Sequence, residues 1–135
     1  MTGALTRQHH FRLLFFGCGD GNLYALDAST GALRWKLQTG DVIHASPAYA
    51  DGAVYVGCRD SNLYAIDAQS GTEKWRVNNQ GSWVIGSPAV TQDKVVYATS
   101  DSALFHEVDA ASGKPLLKQD VKAYTFASPT VRMPP

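Results

Sequence analysis

The chain has 135 residues, 44% of them hydrophobic and 18% charged, which is the balance of a folded domain with a core. Twelve basic and twelve acidic residues leave no net charge and form no basic cluster, which argues against nucleic-acid binding and a membrane-surface patch. No run approaches the ~18 apolar residues of a transmembrane helix, and the Cys and His residues lack zinc-site spacing. We therefore predict no membrane span and no metal site.

The N-terminal region contains a polar leader followed by an apolar run. We expect residues 1–10, which include His9 and His10, to be disordered. The run LLFFGC then ends at Cys18, and it is either a lipoprotein modification site or a strand that enters a turn. Cys58 occupies the equivalent position in a mid-chain copy of this segment, where N-terminal lipid attachment is impossible. This comparison favours the strand.

The chain is built from an internal repeat of about 40 residues. Residues 17–35 read GCGDGNLYALDASTGALRW and residues 57–75 read GCRDSNLYAIDAQSGTEKW, with 11 of the 19 positions identical. A weaker third copy begins at Thr99. The motifs ASPA at 45–48, GSPA at 86–89 and ASPT at 127–130 are each 41 residues apart and mark the same period. A constant period of this length is typical of stacked repeat architectures.

Each repeat predicts four short antiparallel strands. Residues 53–58 are β-branched, aromatic and small, and 62–67 alternate with a period of two. A polar turn with Gly71, a strand with Trp75 and a strand that starts at the Ser-Pro motif complete the unit. No segment has helical periodicity. The sequence therefore predicts β-propeller blades at about 11–44, 45–85 and 86–126, with 127–131 an extra first strand.

At these positions the sequence resembles the pyrroloquinoline quinone (PQQ)-like propeller repeats, whose pattern is roughly Ala-x-Asp-x-x-Thr/Ser-Gly-x-x-x-Trp. The two good copies of the pattern are Ala25, Asp27, Thr30, Gly31, Trp35 and Ala65, Asp67, Ser70, Gly71, Trp75. The resemblance implies that the tryptophan packs between neighbouring blades and docks them. We therefore expect Trp35 and Trp75 to be largely buried.

The third copy departs from the pattern at two positions. It keeps Asp109, Ser112 and Gly113, but Glu107 replaces the alanine and Leu117 replaces the tryptophan. We expect a looser blade contact there. One extra residue lies between Asp101 and Asp109, which predicts a β-bulge.

The resemblance leaves two functions open, because the family includes both quinoprotein dehydrogenases and non-catalytic proteins. The dehydrogenases bind PQQ and Ca²⁺ and use an Asp base, and many have a vicinal Cys-Cys disulfide, which Cys18 and Cys58 cannot form. The aspartates that recur in each repeat are interpreted as turn residues; they are Asp20, Asp60 and Asp101 in one turn and Asp27, Asp67 and Asp109 in another. We predict a non-catalytic binding or interaction scaffold without a cofactor. The alternative is a fragment of a PQQ-dependent dehydrogenase.

The residues that precede each Ser-Pro motif are candidates for a ligand or partner site at one mouth of the propeller channel. They are His44, Trp83, Tyr124 and Phe126. The first copy has no equivalent of Trp83, so this side chain either stacks on a ligand or partner or fills the gap between two blades.

Three blades are fewer than the four to eight of a closed propeller. A second copy of the chain or another protein segment is therefore the expected partner. Residues 127–131 of one copy pairing with 11–18 of another would close a six-bladed head-to-tail dimer. A piece of a longer propeller is the competing interpretation. The sequence is compatible with both the periplasm and the cytoplasm.

Overall fold

The computed structural model describes residues 12–123 and 127–132, which form eleven strands and no helix. The strands are β1 (Leu13–Gly17), β2 (Asn22–Asp27), β3 (Leu33–Gln38), β4 (Ala48–Ala50), β5 (Ala53–Gly57), β6 (Asn62–Asp67), β7 (Glu73–Asn78), β8 (Ala89–Thr91), β9 (Lys94–Thr99), β10 (Leu104–Asp109) and β11 (Pro115–Asp120). The described residues therefore contain no helix that could cross a membrane.

The strands form three antiparallel sheets, one for each sequence repeat. Blade 1 has the order β1-β2-β3, blade 2 has β4-β5-β6-β7, and blade 3 has β8-β9-β10-β11. The first strands β4 and β8 contact each other across blades 2 and 3, which places these edges at the inner side of the stack. The predicted all-β propeller built from antiparallel blades is confirmed, with three strands rather than four described in blade 1.

Blade 2 shows why the blades stack. In β5 and β6 nearly every side chain is buried on both faces of the sheet. Strand pairing aligns Tyr55, Ala65 and Trp75 in one cross-strand row, while the adjacent row on the opposite face contains Val56 and Tyr64. A sheet that is apolar on both faces is stable only when both faces are buried, and blades 1 and 3 each pack against one face of blade 2.

Two hydrophobic clusters fill the spaces between the blades. Blades 1 and 2 share a cluster in which Phe15, Trp35 and Leu37 of blade 1 pack against buried residues of blade 2. Blades 2 and 3 share a second cluster that includes Tyr55 of blade 2 and Tyr97 of blade 3. The core therefore consists of two layers between blades, each formed by side chains that are distant in sequence.

The extra residue of the third repeat lengthens a turn and does not create the predicted bulge. Strands β9 and β10 pair in continuous register from Leu104↔Thr99 to Asp109↔Lys94. Residues 58–62 separate Gly57 from its partner Leu63, whereas residues 99–104 separate the equivalent Ala98 from Phe105, so the extra residue lies at the turn end of the hairpin and does not disturb the ladder. The register does shift between β10 and β11, at Glu107/Val108, but both other blades have the same irregularity at the corresponding place.

Residues 127–132 form no strand with the other described residues. Their path follows the earlier Ser-Pro segments, since the backbone N–H of Ser87 donates to Ser128 Oγ at 2.8 Å, as that of Ser46 donates to Ser87 Oγ at 2.9 Å. Pairing of 127–131 with a second copy stays a prediction. The leader at 1–10 lies outside the described residues.

Candidate functional site

The described residues that were predicted for a channel mouth lie in the connections between blades, next to the turns after β1, β5 and β9. Strands alternate in direction, so these turns and the blade-to-blade connections share one end of the stack. Backbone hydrogen bonds fasten each connection to a turn: Ile43 N–H donates to Cys18 O at 3.2 Å, and Val84 N–H donates to Cys58 O at 3.1 Å. The connections are thereby fixed in position, and their side chains are presented at this end.

Trp83 pairs with Arg59 at this end of the stack. The Arg59 guanidinium carbon lies 4.1 Å from the centroid of the Trp83 ring, a cation–π arrangement. Trp83 is 37% exposed, and the buried Nε of Arg59 has no hydrogen-bond partner among the described residues. The pair offers a flat aromatic surface and a positive charge, and this combination is suited to an anionic planar ligand or an acidic partner.

The structure corrects one point about Trp83 and adds a residue that the sequence interpretation missed. Val42 is the equivalent of Trp83 in the first repeat, because Arg59 N–H donates to Val42 O at 3.1 Å and Ser100 N–H donates to Trp83 O at 2.9 Å. Arg59 itself replaces the glycine and serine that the other two repeats carry at its position. Both Arg59 and Trp83 differ from the residues at the equivalent positions of the first repeat. This shared difference, rather than Trp83 alone, is the sequence signal for the pair.

The other channel-mouth candidates are only partly described. His44 is exposed in the first connection. Tyr124 and Phe126 lie outside the described residues. Of the four predicted residues, the structure therefore places His44 and Trp83 at this end, and it adds Arg59.

The aspartates of the three turns at this end accept hydrogen bonds from their surroundings. Asp60 accepts the N–H groups of Gly40 at 2.9 Å and Asn62 at 3.0 Å, together with the hydroxyl of Tyr64. Burial alone would raise the pKa of Asp60, but these hydrogen bonds outweigh it and hold that pKa below its usual value. Because Gly40 belongs to the connection from blade 1, the carboxylate also links two blades.

Asp20 and Asp101 are held in a similar way. The Tyr24 hydroxyl and the Asn22 N–H bind Asp20 and lower its pKa to about 2. The hydroxyls of Ser82, at 2.8 Å, and Ser100, at 2.9 Å, bind Asp101 and lower its pKa. These carboxylates stay ionised near neutral pH and serve as hydrogen-bond acceptors of the turns.

The opposite end of the stack carries the turns that follow β2, β6 and β10. In each turn the aspartate side chain accepts N–H groups of its own turn, for example Asp67 Oδ1 from Gln69 at 3.0 Å and Ser70 at 2.9 Å. Asp27 and Asp109 make equivalent contacts. Within the described residues, no group of three or more His, Cys, Asp or Glu side chains is placed to hold a metal ion.

Two of these three turns, Asp67–Gly71 and Asp109–Gly113, contact a tryptophan from the preceding blade, whereas the equivalent turn Asp27–Gly31 belongs to blade 1. Trp35 Nε1 donates to Ala68 O at 2.9 Å, and Trp75 Nε1 donates to Ala110 O at 3.0 Å. Both indoles are half-buried rather than largely buried, because they lie on the outermost strands β3 and β7, where the blade edge faces solvent. The indole N–H and ring bridge the blades even so.

These features define a propeller segment of PQQ-like repeats with Trp-linked blades. A family model described as outer membrane protein assembly factor BamB matches residues 10–85 and again 59–133. The chain belongs to this PQQ-like repeat family. A comparison with curated proteins found no match.

Solved structures with the same fold include proteins of both functional types. BamB from Moraxella catarrhalis has a TM-score of 0.72 and 24% identity over 81% of this chain and 33% of its own. Quinohemoprotein alcohol dehydrogenase ADHIIG from Pseudomonas putida HK5 has a TM-score of 0.71 and 28% identity over 78% of this chain and 19% of its own. A europium-containing methanol dehydrogenase has a TM-score of 0.70 and 22% identity, over 78% of this chain and 22% of its own. The chain therefore spans a fifth to a third of the length of these proteins.

Proposed function

We propose that this chain is a non-catalytic propeller segment that acts by binding another protein. The observation that carries the proposal is the exposed face of blade 1, the side that points away from blade 2. Leu14 is 53% exposed and Phe16 37% exposed there. Their counterparts on blade 2, Val54 and Val56, are completely buried under blade 1.

The exposed face has the composition of a blade-to-blade contact. Phe16 stacks on Tyr24 with ring centroids 5.2 Å apart, which forms a flat aromatic surface. Strand pairing places these two rings in one cross-strand row, as it places Val56 and Tyr64 in blade 2. Contiguous apolar surface of this kind on a folded protein marks a contact site.

The carboxylates support the non-catalytic half of the proposal. A general base or a calcium ligand needs a carboxylate oxygen that is directed at the substrate or ion. The six repeated aspartates instead accept hydrogen bonds from backbone N–H groups, hydroxyls or both within their own turns or the adjacent connection. They stabilise the turns and the contacts between blades.

A cofactor-binding function is the second candidate, and the Arg59–Trp83 pair favours it. PQQ is flat and carries several negative charges, so the aromatic face and guanidinium of this pair match its chemistry in kind. Under this alternative the chain would contribute one wall of a quinone site.

A titration with PQQ and Ca²⁺, run beside a dye-reduction assay with simple alcohols and sugars, separates these two functions. We expect no PQQ-dependent dye reduction, and any quenching of tryptophan fluorescence should be the same in wild type and Trp83→Leu. Reduction that requires PQQ and substrate and disappears in Trp83→Leu would overturn the non-catalytic proposal.

The proposed protein-binding role of the blade 1 face can be tested separately, by the binding of an apolar dye such as anilinonaphthalene sulfonate. The double variant Leu14→Ser with Phe16→Ser should bind less dye than wild type. Tyr49→Ser, which alters an exposed aromatic residue elsewhere, should reduce dye binding less than the double variant does. Equal dye binding by wild type and the double variant would show that the blade 1 face is not an apolar contact surface.

A further inference from the structure

A cavity of about 210 Å³ opens between blades 2 and 3, beside the strands β7, β10 and β11, and we call it the interblade cavity. The residues of its lining that matter below are Val77, Asn79, Gln80, Leu104, His106 and Lys118. It contains neither member of the Arg59–Trp83 pair and no residue of blade 1. The cavity is therefore separate from the sites described above.

The chemistry of the interblade cavity comes from two positions at which blade 3 differs from blade 2. Strand pairing makes His106 and Lys118 the counterparts of Tyr64 and Arg76. In blade 2 the Arg76 guanidinium carbon lies 5.0 Å from the centroid of the Tyr64 ring, and the Tyr64 hydroxyl reaches Asp60. An imidazole is smaller than a phenol, and a lysine has no planar guanidinium, so this row fills less of the space between the blades.

The His106 side chain has an unpaired nitrogen in the interblade cavity. Its Nε2 lies 3.1 Å from Thr99 Oγ1, and the Thr99 hydroxyl donates its own proton to Leu104 O at 3.2 Å. Nε2 therefore carries the ring proton, and Nδ1 keeps a lone pair that has no partner among the described residues. His106 is only 5% exposed, yet Nδ1 is not among the fully enclosed unpaired atoms, so its access runs through the cavity.

Lys118 supplies a positive charge beside this nitrogen. Its ammonium group is close enough to contribute, after burial, to the low pKa of His106. Among the described residues Lys118 forms no ion pair, whereas its counterpart Arg76 is bound by Glu73 at 2.8 Å. The cavity therefore combines an unpaired cation with a buried imidazole that can take up a proton.

The other groups around His106 leave this charge uncompensated. Blade 2 contributes only uncharged residues to the lining; they are Val77, Asn78, Asn79 and Gln80. Tyr97 on β9 is occupied, since its hydroxyl donates to Asn79 Oδ1 at 3.0 Å. Glu107 lies in the next cross-strand row, which faces the other side of the sheet. Asp101, in the adjoining turn, is bound by two serine hydroxyls.

We propose that the interblade cavity binds a small carboxylate with an apolar body. The carboxylate would pair with the Lys118 ammonium group and accept a hydrogen bond from His106 Nδ1, which takes up one proton from solvent on binding. A negative charge beside an imidazole favours the protonated ring, so uptake of this proton is coupled to the ligand. The apolar body would lie against Val77 and Leu104. This site goes beyond the proposed protein-binding function and does not depend on it.

A titration of the full chain, labelled with ¹⁵N at histidine, tests the proposal with benzoate as the probe. Benzamide is the control ligand, because it has a similar shape and no charge. Spectra of the imidazole nitrogens report the protonation of His106, and the exposed His44 is an internal reference. The variants are Lys118→Gln, His106→Tyr and Lys36→Gln. Lys36 is the matched control, since it occupies the equivalent position on the outermost strand of blade 1.

At about pH 6, where the free His106 ring is neutral, benzoate should shift its nitrogen signals saturably toward the protonated form, and benzamide should not. Lys118→Gln should weaken benzoate binding at least about tenfold, and Lys36→Gln should leave it unchanged. In His106→Tyr the backbone amide signals of Val77 and Gln80 should no longer respond to benzoate.

Four results would overturn the proposal. They are the absence of a saturable response to benzoate, equal binding of benzoate and benzamide, an unchanged affinity in Lys118→Gln, and a saturable response that persists in His106→Tyr. Circular dichroism would establish that each variant is folded. The dye-binding test of the blade 1 face is independent of these measurements, so the two proposals can fail separately.

Discussion

The two contacts between blades use the same framework but differ in their chemistry. In each, an indole from one blade donates to an alanine carbonyl of the next. Between blades 1 and 2 the covered row contains Val56 and Tyr64, and the Tyr64 hydroxyl reaches Asp60. Between blades 2 and 3 that row holds Tyr97 and His106, which stack with centroids 4.7 Å apart.

The second contact compensates for its polarity with hydrogen bonds. His106 Nε2 lies 3.1 Å from Thr99 Oγ1, and the Tyr97 hydroxyl donates to Asn79 Oδ1 at 3.0 Å. Buried polar groups that find partners cost little, so a histidine is accommodated where the other blade has a tyrosine. The tryptophan and the turn that it contacts therefore set the geometry of the stack, while the cross-strand row beside them differs from one contact to the other.

Removal of each indole should be the most damaging change to either contact. Trp35→Ala and Trp75→Ala should each lower the free energy of unfolding by roughly 3–5 kcal/mol, since a large aromatic and an interblade hydrogen bond are lost together. Chemical denaturation with circular dichroism measures this. The phenylalanine variants, which keep most of the ring, should lose only about 1 kcal/mol. A Trp75→Ala protein as stable as wild type would contradict the docking role.

A pair of glycine variants should separate an occupied turn from an open one. Gly71→Ala adds a methyl against the Trp35 ring, whereas at Gly31 no atom of the described residues lies within 4 Å of the added methyl, and both positions have nearly the same positive φ. Gly31→Ala should cost only the backbone strain, about 1–2 kcal/mol. Gly71→Ala should cost about 2 kcal/mol more, because the indole must also shift. Equal denaturation midpoints would show that the ring contact carries no stability.

Acid should weaken the contact between blades 2 and 3 through His106. Burial, with a smaller effect of Lys118, lowers the pKa of His106 to about 4. Between that value and about 6.5 the unfolded chain binds the proton that the folded chain excludes, so stability falls as the pH falls through this range. The loss between pH 7 and pH 4.5 should be about 2 kcal/mol.

Denaturation at a series of pH values tests this assignment. His106→Gln should flatten the acid dependence, while His44→Gln, which alters an exposed histidine, should leave it unchanged. If the wild type and His106→Gln lose stability in parallel, another group is responsible for the acid sensitivity.

The third repeat shows where sequence patterns reach their limit. Its extra residue predicts a bulge, because spacing alone cannot say whether an insertion enters a strand or a turn. The ladder of hydrogen bonds between β9 and β10 favours the turn, where a lengthened loop breaks no pairing. The sequence likewise did not predict that Trp35 and Trp75 are only half-buried, since a repeat pattern does not show which strand lies at the solvent edge.

The candidate site was predictable only in part. The Ser-Pro motifs located the connections that carry His44 and Trp83. Arg59 was missed because it lies more than twenty residues before Trp83, and only folding brings the β5–β6 turn beside the connection from blade 2 to blade 3. The fold, in contrast, followed from local information repeated three times.

The sequence by itself determined the repeat, the alternating strands, the turn residues and the family, because each depends on residues close together in the chain. Only the tertiary structure decided which faces are covered and which tryptophan meets which turn. These contacts join residues more than thirty positions apart, such as Trp35 with Ala68 and Trp75 with Ala110. Stacking can bury one copy of a pattern and expose another, and for that reason the equivalent apolar positions Val56 and Phe16 are buried in blade 2 and exposed in blade 1.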